Sequence, residues 1–226
     1  VDDIDCVQAF AIDRFSSYGI SPYNLSHQYE RLVEAFRTKD YRRILRFSTD
    51  LGHYLADAHV PLHTTLNYDG TTDAQKGIHA FWETRLPELF AEADYDFFVG
   101  KAEYIYDTNN YFWDIILESH QLVDAVLLTE EHLRLNYPND QQFCHEARGS
   151  KTIRTTCTAY ATAYHEALDG MVEKRMRASI KALGNVWLSA WVDAGQPLLE
   201  SIDASILKPQ KKEKQVPQNT DEGTHH

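Results

Sequence analysis

A chain of 226 residues, 43% hydrophobic and 25% charged, can bury one sizeable core and needs no second one. Its formal net charge of −12 repels phosphate polymers at long range, which argues against a broad face for duplex DNA. It has no apolar run of about 18 residues, so no segment reads as a membrane-spanning helix.

Helical periodicity dominates and no convincing alternating strand stands out, so the expected fold is all-α, a single helical domain over residues 1–200. Residues 5–18 read as a helix stopped near Gly19. Pro22 opens a second helix, with Leu25, Tyr29, Leu32, Val33 and Phe36 on one face. Asp40 is placed to cap a third, whose apolar stripe is Ile44, Leu45, Leu51, Leu55 and Ala58, and Pro61 ends it. Residues 64–77 read as a polar loop with turn chemistry at Asn67-Tyr68-Asp69-Gly70. A helix from His79 to about Phe90 follows, in which Pro87 predicts a kink or an early stop. The aromatic-rich stretch 94–113 has no clear period. Residues 111–133 read as helical, and a loop surrounds Pro138 and Gly149. The longest periodic segment runs from Thr156 to Val192, interrupted by Gly170 and Gly184 and closed by Gly195 and Pro197. Residues 207–226 carry almost nothing apolar and are expected to form a disordered tail. Cys6, Cys144 and Cys157 contain no Cys-x-x-Cys pair. They read first as buried or free thiols, with a Cys144–Cys157 disulfide closing a short loop outside a reducing compartment as the alternative.

The chemistry concentrates between residues 53 and 83. Four of the eleven histidines, His53, His59, His63 and His79, fall there, in the pattern His53-x3-Asp57, His63, His79-x3-Glu83. Helix residues four apart share a face, with Cβ atoms about 5–6 Å apart, so an imidazole and a carboxylate so placed can converge on one ion. Neutral imidazole with carboxylate and no thiolate suits Zn²⁺ at a hydrolytic site. His63, His79 and Glu83 make up three such ligands and leave a fourth position open. One His-x3-Asp pair by itself is ordinarily a surface ion pair. Two pairs with a histidine between them is a more specific arrangement. His59 points away from the His53–Asp57 face and reads as structural. Asp50 shares that face, either orienting His53 or simply solvated. His27, His120, His132, His145 and His165 stand in no comparable pattern, and His225 and His226 belong to the tail.

The run His53-Tyr-Leu-Ala-Asp57-Ala-His-Val-Pro-Leu-His63, followed by Gly77-Ile-His79-Ala-Phe-Trp-Glu83, resembles the zinc-dependent phospholipase C and single-strand nuclease superfamily, which includes the fungal nucleases S-one and P-one. The resemblance implies an all-α fold binding three zinc ions and cleaving phosphodiesters in phospholipids or single-stranded nucleic acid. Carried over by position, His53 binds the first zinc and Asp57 bridges the first and third, which gives Asp57 the catalytic weight. His63, His79 and Glu83 hold the second zinc. Glu83 is similar to the bacterial phospholipases C, since the nucleases usually place Asp there. The family's remaining ligands, an N-terminal Trp, two His and an Asp, lie upstream of this run. Here no Trp precedes Trp82, and His27 is the one His before His53. The resemblance therefore implies that the N-terminal part of the domain is missing, leaving one complete zinc site, parts of two others, and little activity in this chain alone. It also suggests a secreted or periplasmic protein. The expected partner is a phosphodiester substrate, with no duplex DNA and with oligomeric state left open. Two readings compete: a non-catalytic, zinc-stabilised helical domain, and a helical interaction module with fortuitous histidines.

Overall fold

The computed structural model describes residues 20–199, which are mostly helical with one two-stranded antiparallel hairpin. The helix expected over residues 5–18 and the tail expected from residue 207 lie outside the described residues.

Helix α1 (Ser21–Arg37) carries Pro22 in its first turn, where a missing N–H costs no intrahelical bond. It buries Leu25, Tyr29, Leu32, Val33 and Phe36, as the periodicity requires. Helix α2 (Tyr41–Ala58) is capped by Asp40, whose carboxylate accepts from the Arg43 N–H at 3.1 Å. Its buried stripe is Ile44, Phe47, Leu51, Leu55 and Ala58. Leu45, expected in that stripe, is exposed, because it lies a single helical step from Ile44 while Phe47 lies three. Pro61 does not continue the helix; it opens a 3-10 turn (Pro61–Thr64) that carries His63.

In the polar loop the Gly70 N–H donates to Asn67 O at 3.0 Å, closing the expected turn. Gly70 has φ +106°, and a Cβ there would lie 2.5 Å from Cβ of Gln75, so no other residue fits. Helix α3 (Ile78–Ala80) passes through a π turn (Phe81–Arg85) into α4 (Leu86–Asp94). Pro87 therefore neither stops nor shortens the helix, which runs past Phe90 to Asp94. The Leu86 N–H reaches back five residues to Phe81 O, and this widened turn relieves the clash that Pro87 would make with the turn before it.

The segment 95–107 is non-helical and is pinned to the last helix, with Glu103 N–H donating to Asn185 Oδ1 and Ile105 N–H to Ser189 Oγ. The single helix expected over 111–133 is two, α5 (Thr108–Gln121) and α6 (Val123–Asn136). They break at Leu122, whose N–H bonds to Ser119 O in a tightened turn with no Gly or Pro to announce it. The loop expected around Pro138 and Gly149 contains the hairpin, β1 (Phe143–Arg148) paired with β2 (Lys151–Thr156), from Phe143 opposite Thr156 to Arg148 opposite Lys151. Gly149 turns it at φ +60°. Both faces are largely solvated, so the apolar alternation that marks a half-buried strand never develops. A Cys144–Cys157 disulfide ties β1 to the start of α7 (Thr158–Ala167). Gly170, at φ +70°, separates α7 from α8 (Met171–Asp193), whereas Gly184 lies inside α8 without interrupting it.

Two apolar clusters result. One gathers Leu25, Phe36, Phe47, Leu51, Phe112 and Val186 from α1, α2, α5 and the C-terminal half of α8. The other gathers Leu62, Phe81, Trp82, Val126, Tyr164 and Val172 from the 3-10 turn, the π turn, α6, α7 and the first turn of α8. Helix α8 contributes to both. Its buried Arg175 donates to His59 O (3.0 Å), Ser119 Oγ (2.6 Å) and Ile115 O (3.4 Å), and reaches Glu118 at 3.3 Å, so one guanidinium bonds the end of α2 to α5.

Candidate metal centre

His63, His79 and Glu83 come from three different local structures: the 3-10 turn after α2, the short α3, and the π turn. Their ligand atoms converge. His79 Nε2 lies 2.8 Å from Glu83 Oε2, His63 Nε2 lies 3.2 Å from the same oxygen, and the two Nε2 atoms are 3.2 Å apart. Among the described residues, this is the one group of three or more His, Cys, Asp or Glu side chains so gathered.

Neighbouring bonds hold the trio in place. Asp69, in the turn expected at 67–70, accepts from the Gly77 N–H at 2.8 Å and so anchors the start of α3. Gly77 itself sits at φ +96°. His120 of α5 bonds through Nδ1 to Thr64 O (3.0 Å), bracing the turn that carries His63. Sequence reasoning found neither role. Asp69 read only as a turn former, and His120 is 56 positions from Thr64, a distance no local pattern spans. Tyr68 lies edge-on to the His79 ring with centroids 6.0 Å apart and is exposed, whereas Phe81 is core, packed on Tyr160 and Tyr164.

Two imidazole Nε2 atoms facing each other at 3.2 Å cannot both be bare lone pairs; a proton or another cation belongs between them. The electrostatics agree. His63 is raised above its ordinary range, first by its hydrogen bond to Glu83 and then by the charges of Glu83 and Asp57, against the opposing effect of burial. Glu83 is lowered, first by the hydrogen bond to His63. The donor set also fits a small dication. Ligands about 2.0–2.1 Å from a tetrahedral ion are roughly 3.3 Å from one another, close to the observed 3.2, 3.2 and 2.8 Å. Each of the three retains solvent exposure, so a further position is open.

His53 and Asp57 are not part of this group. His53 Nε2 is 3.5 Å from Asp57 Oδ2, and the His53 side chain is 71% exposed. The pair offers two ligand groups one helical turn apart, with the Asp57 charge felt at His63. Asp50 faces Arg46, 3.7 Å away. His59 is structural as expected: it is buried, and its Nδ1–H donates to Leu55 O at 2.7 Å.

Compared with models of known protein families, with curated proteins and with solved structures, the chain matches none.

Proposed function

We propose that the chain is a zinc-dependent hydrolase of phosphodiester bonds, with Zn²⁺ held by His63, His79 and Glu83. His53 and Asp57 would supply ligands to neighbouring ions. The observation that carries the reading is the convergence of two imidazole nitrogens and one carboxylate oxygen at near-tetrahedral spacing on a partly exposed face. Zinc there would act as a Lewis acid on a phosphoryl oxygen and make water a competent nucleophile near neutral pH. The protein's own groups do the rest. Asp69 and His120 fix the two backbone segments that aim the imidazoles, so little reorganisation accompanies binding. Asp57 adds negative charge beside the trio, which offsets the repulsion between cations gathered there. The substrate class is a phosphodiester of a phospholipid or of single-stranded nucleic acid. The disulfide supports placement in an oxidising compartment, secreted or periplasmic.

A second reading rests on a specific observation: the His53–Asp57 pair brings only two ligand groups, below the three usual at a catalytic ion. In that reading the metal contributes folding energy alone. Elemental analysis after dialysis against a weak chelator should find about one tightly held zinc per chain, lost in His79→Ala, as a three-ligand site implies. With zinc added, the protein should hydrolyse bis-p-nitrophenyl phosphate, and Asp57→Asn should slow it by orders of magnitude. Zinc retention that raises the melting temperature without any hydrolysis would favour the structural reading. No retained zinc overturns both.

A further inference from the structure

A cavity lies along the same helix and includes none of the three ligand residues of the metal centre. It measures about 360 Å³ and is bounded by the π turn and α4, by α6 and by the hairpin. Five cations line it: Lys76, Arg85, Arg134, Arg148 and Arg154. Three carboxylates answer them. Glu88 takes Arg148 and lies 3.6 Å from Arg85, Glu146 takes Arg85, and Glu130 lies 3.5 Å from Arg134 Nε. Two positive charges are therefore left over, in a chain whose net charge is −12.

The pairing is also incomplete. Glu130 already accepts from Tyr160 (3.0 Å) and Gln75 (3.1 Å), and Arg134 Nε is buried with no hydrogen-bond partner. Arg85, only 6% exposed, likewise has an unpartnered Nε–H. Lys76 and Arg154 meet no carboxylate within 4 Å among the described residues; Arg154 lies over the Phe143 ring, 3.6 Å from its centroid. A concentration of guanidinium forks beyond what the local carboxylates neutralise is the arrangement that recognises phosphate. Phe143 adds apolar surface on the hairpin face that also carries Arg154, and the volume is that of a small-molecule site.

We propose that this cavity binds an organic phosphomonoester, its dianionic phosphate among Arg134, Arg154 and Lys76 and its organic part against Phe143. The assignment is independent of the metal centre, because His63, His79 and Glu83 contribute nothing to the cavity.

The test is calorimetric titration with phenyl phosphate on protein kept in excess chelator, so that no metal can hold the phosphate. Saturable binding is expected. The exposed pair Lys76→Gln and Arg154→Gln together should weaken it about tenfold or more, as loss of charge-assisted bonds implies. Both side chains lie at the surface, and an unchanged melting temperature would verify that the double variant is folded. His79→Ala should bind as wild type does. Phenyl sulfate, of like shape but singly charged, should bind more weakly. Absence of phenyl phosphate binding, an unchanged affinity in the double variant, a loss in His79→Ala, or equal affinity for the sulfate would each overturn the proposal.

Discussion

His59 shows how one side chain can look like a ligand in sequence and be something else in the fold. It sits four positions before His63 in the sequence, yet burial, assisted by the nearby charge of Arg175, pushes it down to about 4, against the opposing bond to Leu55 O. The unfolded chain takes up this proton below the ordinary value of 6.5, and the folded chain only near 4. The stability His59 contributes is therefore complete above pH 6.5 and drains as the pH falls toward 4. The total is about 3 kcal/mol, since each pH unit of the interval is worth about 1.4 kcal/mol. Glu83, whose range is lowered, loses stability in the same acid direction, so the measurement must compare variants. Urea unfolding of His59→Asn should show a flatter dependence between pH 7 and pH 4 than wild type. A slope identical to wild type would mean that His59 is protonated in the fold. The ligand trio was legible because residue type and spacing alone point to it. Asp69 and His120 were not, because a turn former and a distant histidine acquire their roles only through backbone bonds that folding creates.

At the scale of elements, the hairpin and its disulfide are the chief departure from an all-helical reading. The Cys144–Cys157 link closes a loop of sequence separation 13. A loop of that size implies a stabilisation of about 3 kcal/mol through the unfolded state. Replacing both cysteines by Ala should lower the urea midpoint and raise the m-value slightly, because the unfolded chain opens further, whereas an unchanged midpoint would show that the strands hold without the link. Helices α1 and α2 were readable because Pro22, Asp40 and the apolar stripes agree with one another. The break at Leu122 was not, since Ser119 and the surrounding residues suit a continuous helix and tertiary bonds to Ser119 decide otherwise. The hairpin escaped because Lys-Thr-Ile-Arg-Thr-Thr is solvated on both faces, and its β-branched residues do not alternate with polar ones in the way a half-buried strand does.

Across the whole molecule, Arg175 and α8 join two apolar clusters that no sequence pattern connects. Arg175→Met keeps the apolar stem but strips donors from His59 O, Ile115 O and Ser119 Oγ, all buried. A loss of about 3–5 kcal/mol is expected, the range for breaking a buried charged network. It should appear equally in the fluorescence of Trp82, in one cluster, and Trp191, against the other. Separate transitions for the two would show that the clusters melt independently. The π turn Phe81–Arg85 has a consequence on the same scale. A π turn is a helix with one surplus residue, and each helical residue turns the chain by about 100°. Losing a single position there would barely change the helix length, but it would act as a change of phase. His79 would keep its place beside Asp69, while Arg85 and Glu88 would swing away from Glu146 and Arg148. Insertions and deletions at this point are therefore rotations, and they would uncouple the metal-facing side of the helix from the side that faces the hairpin.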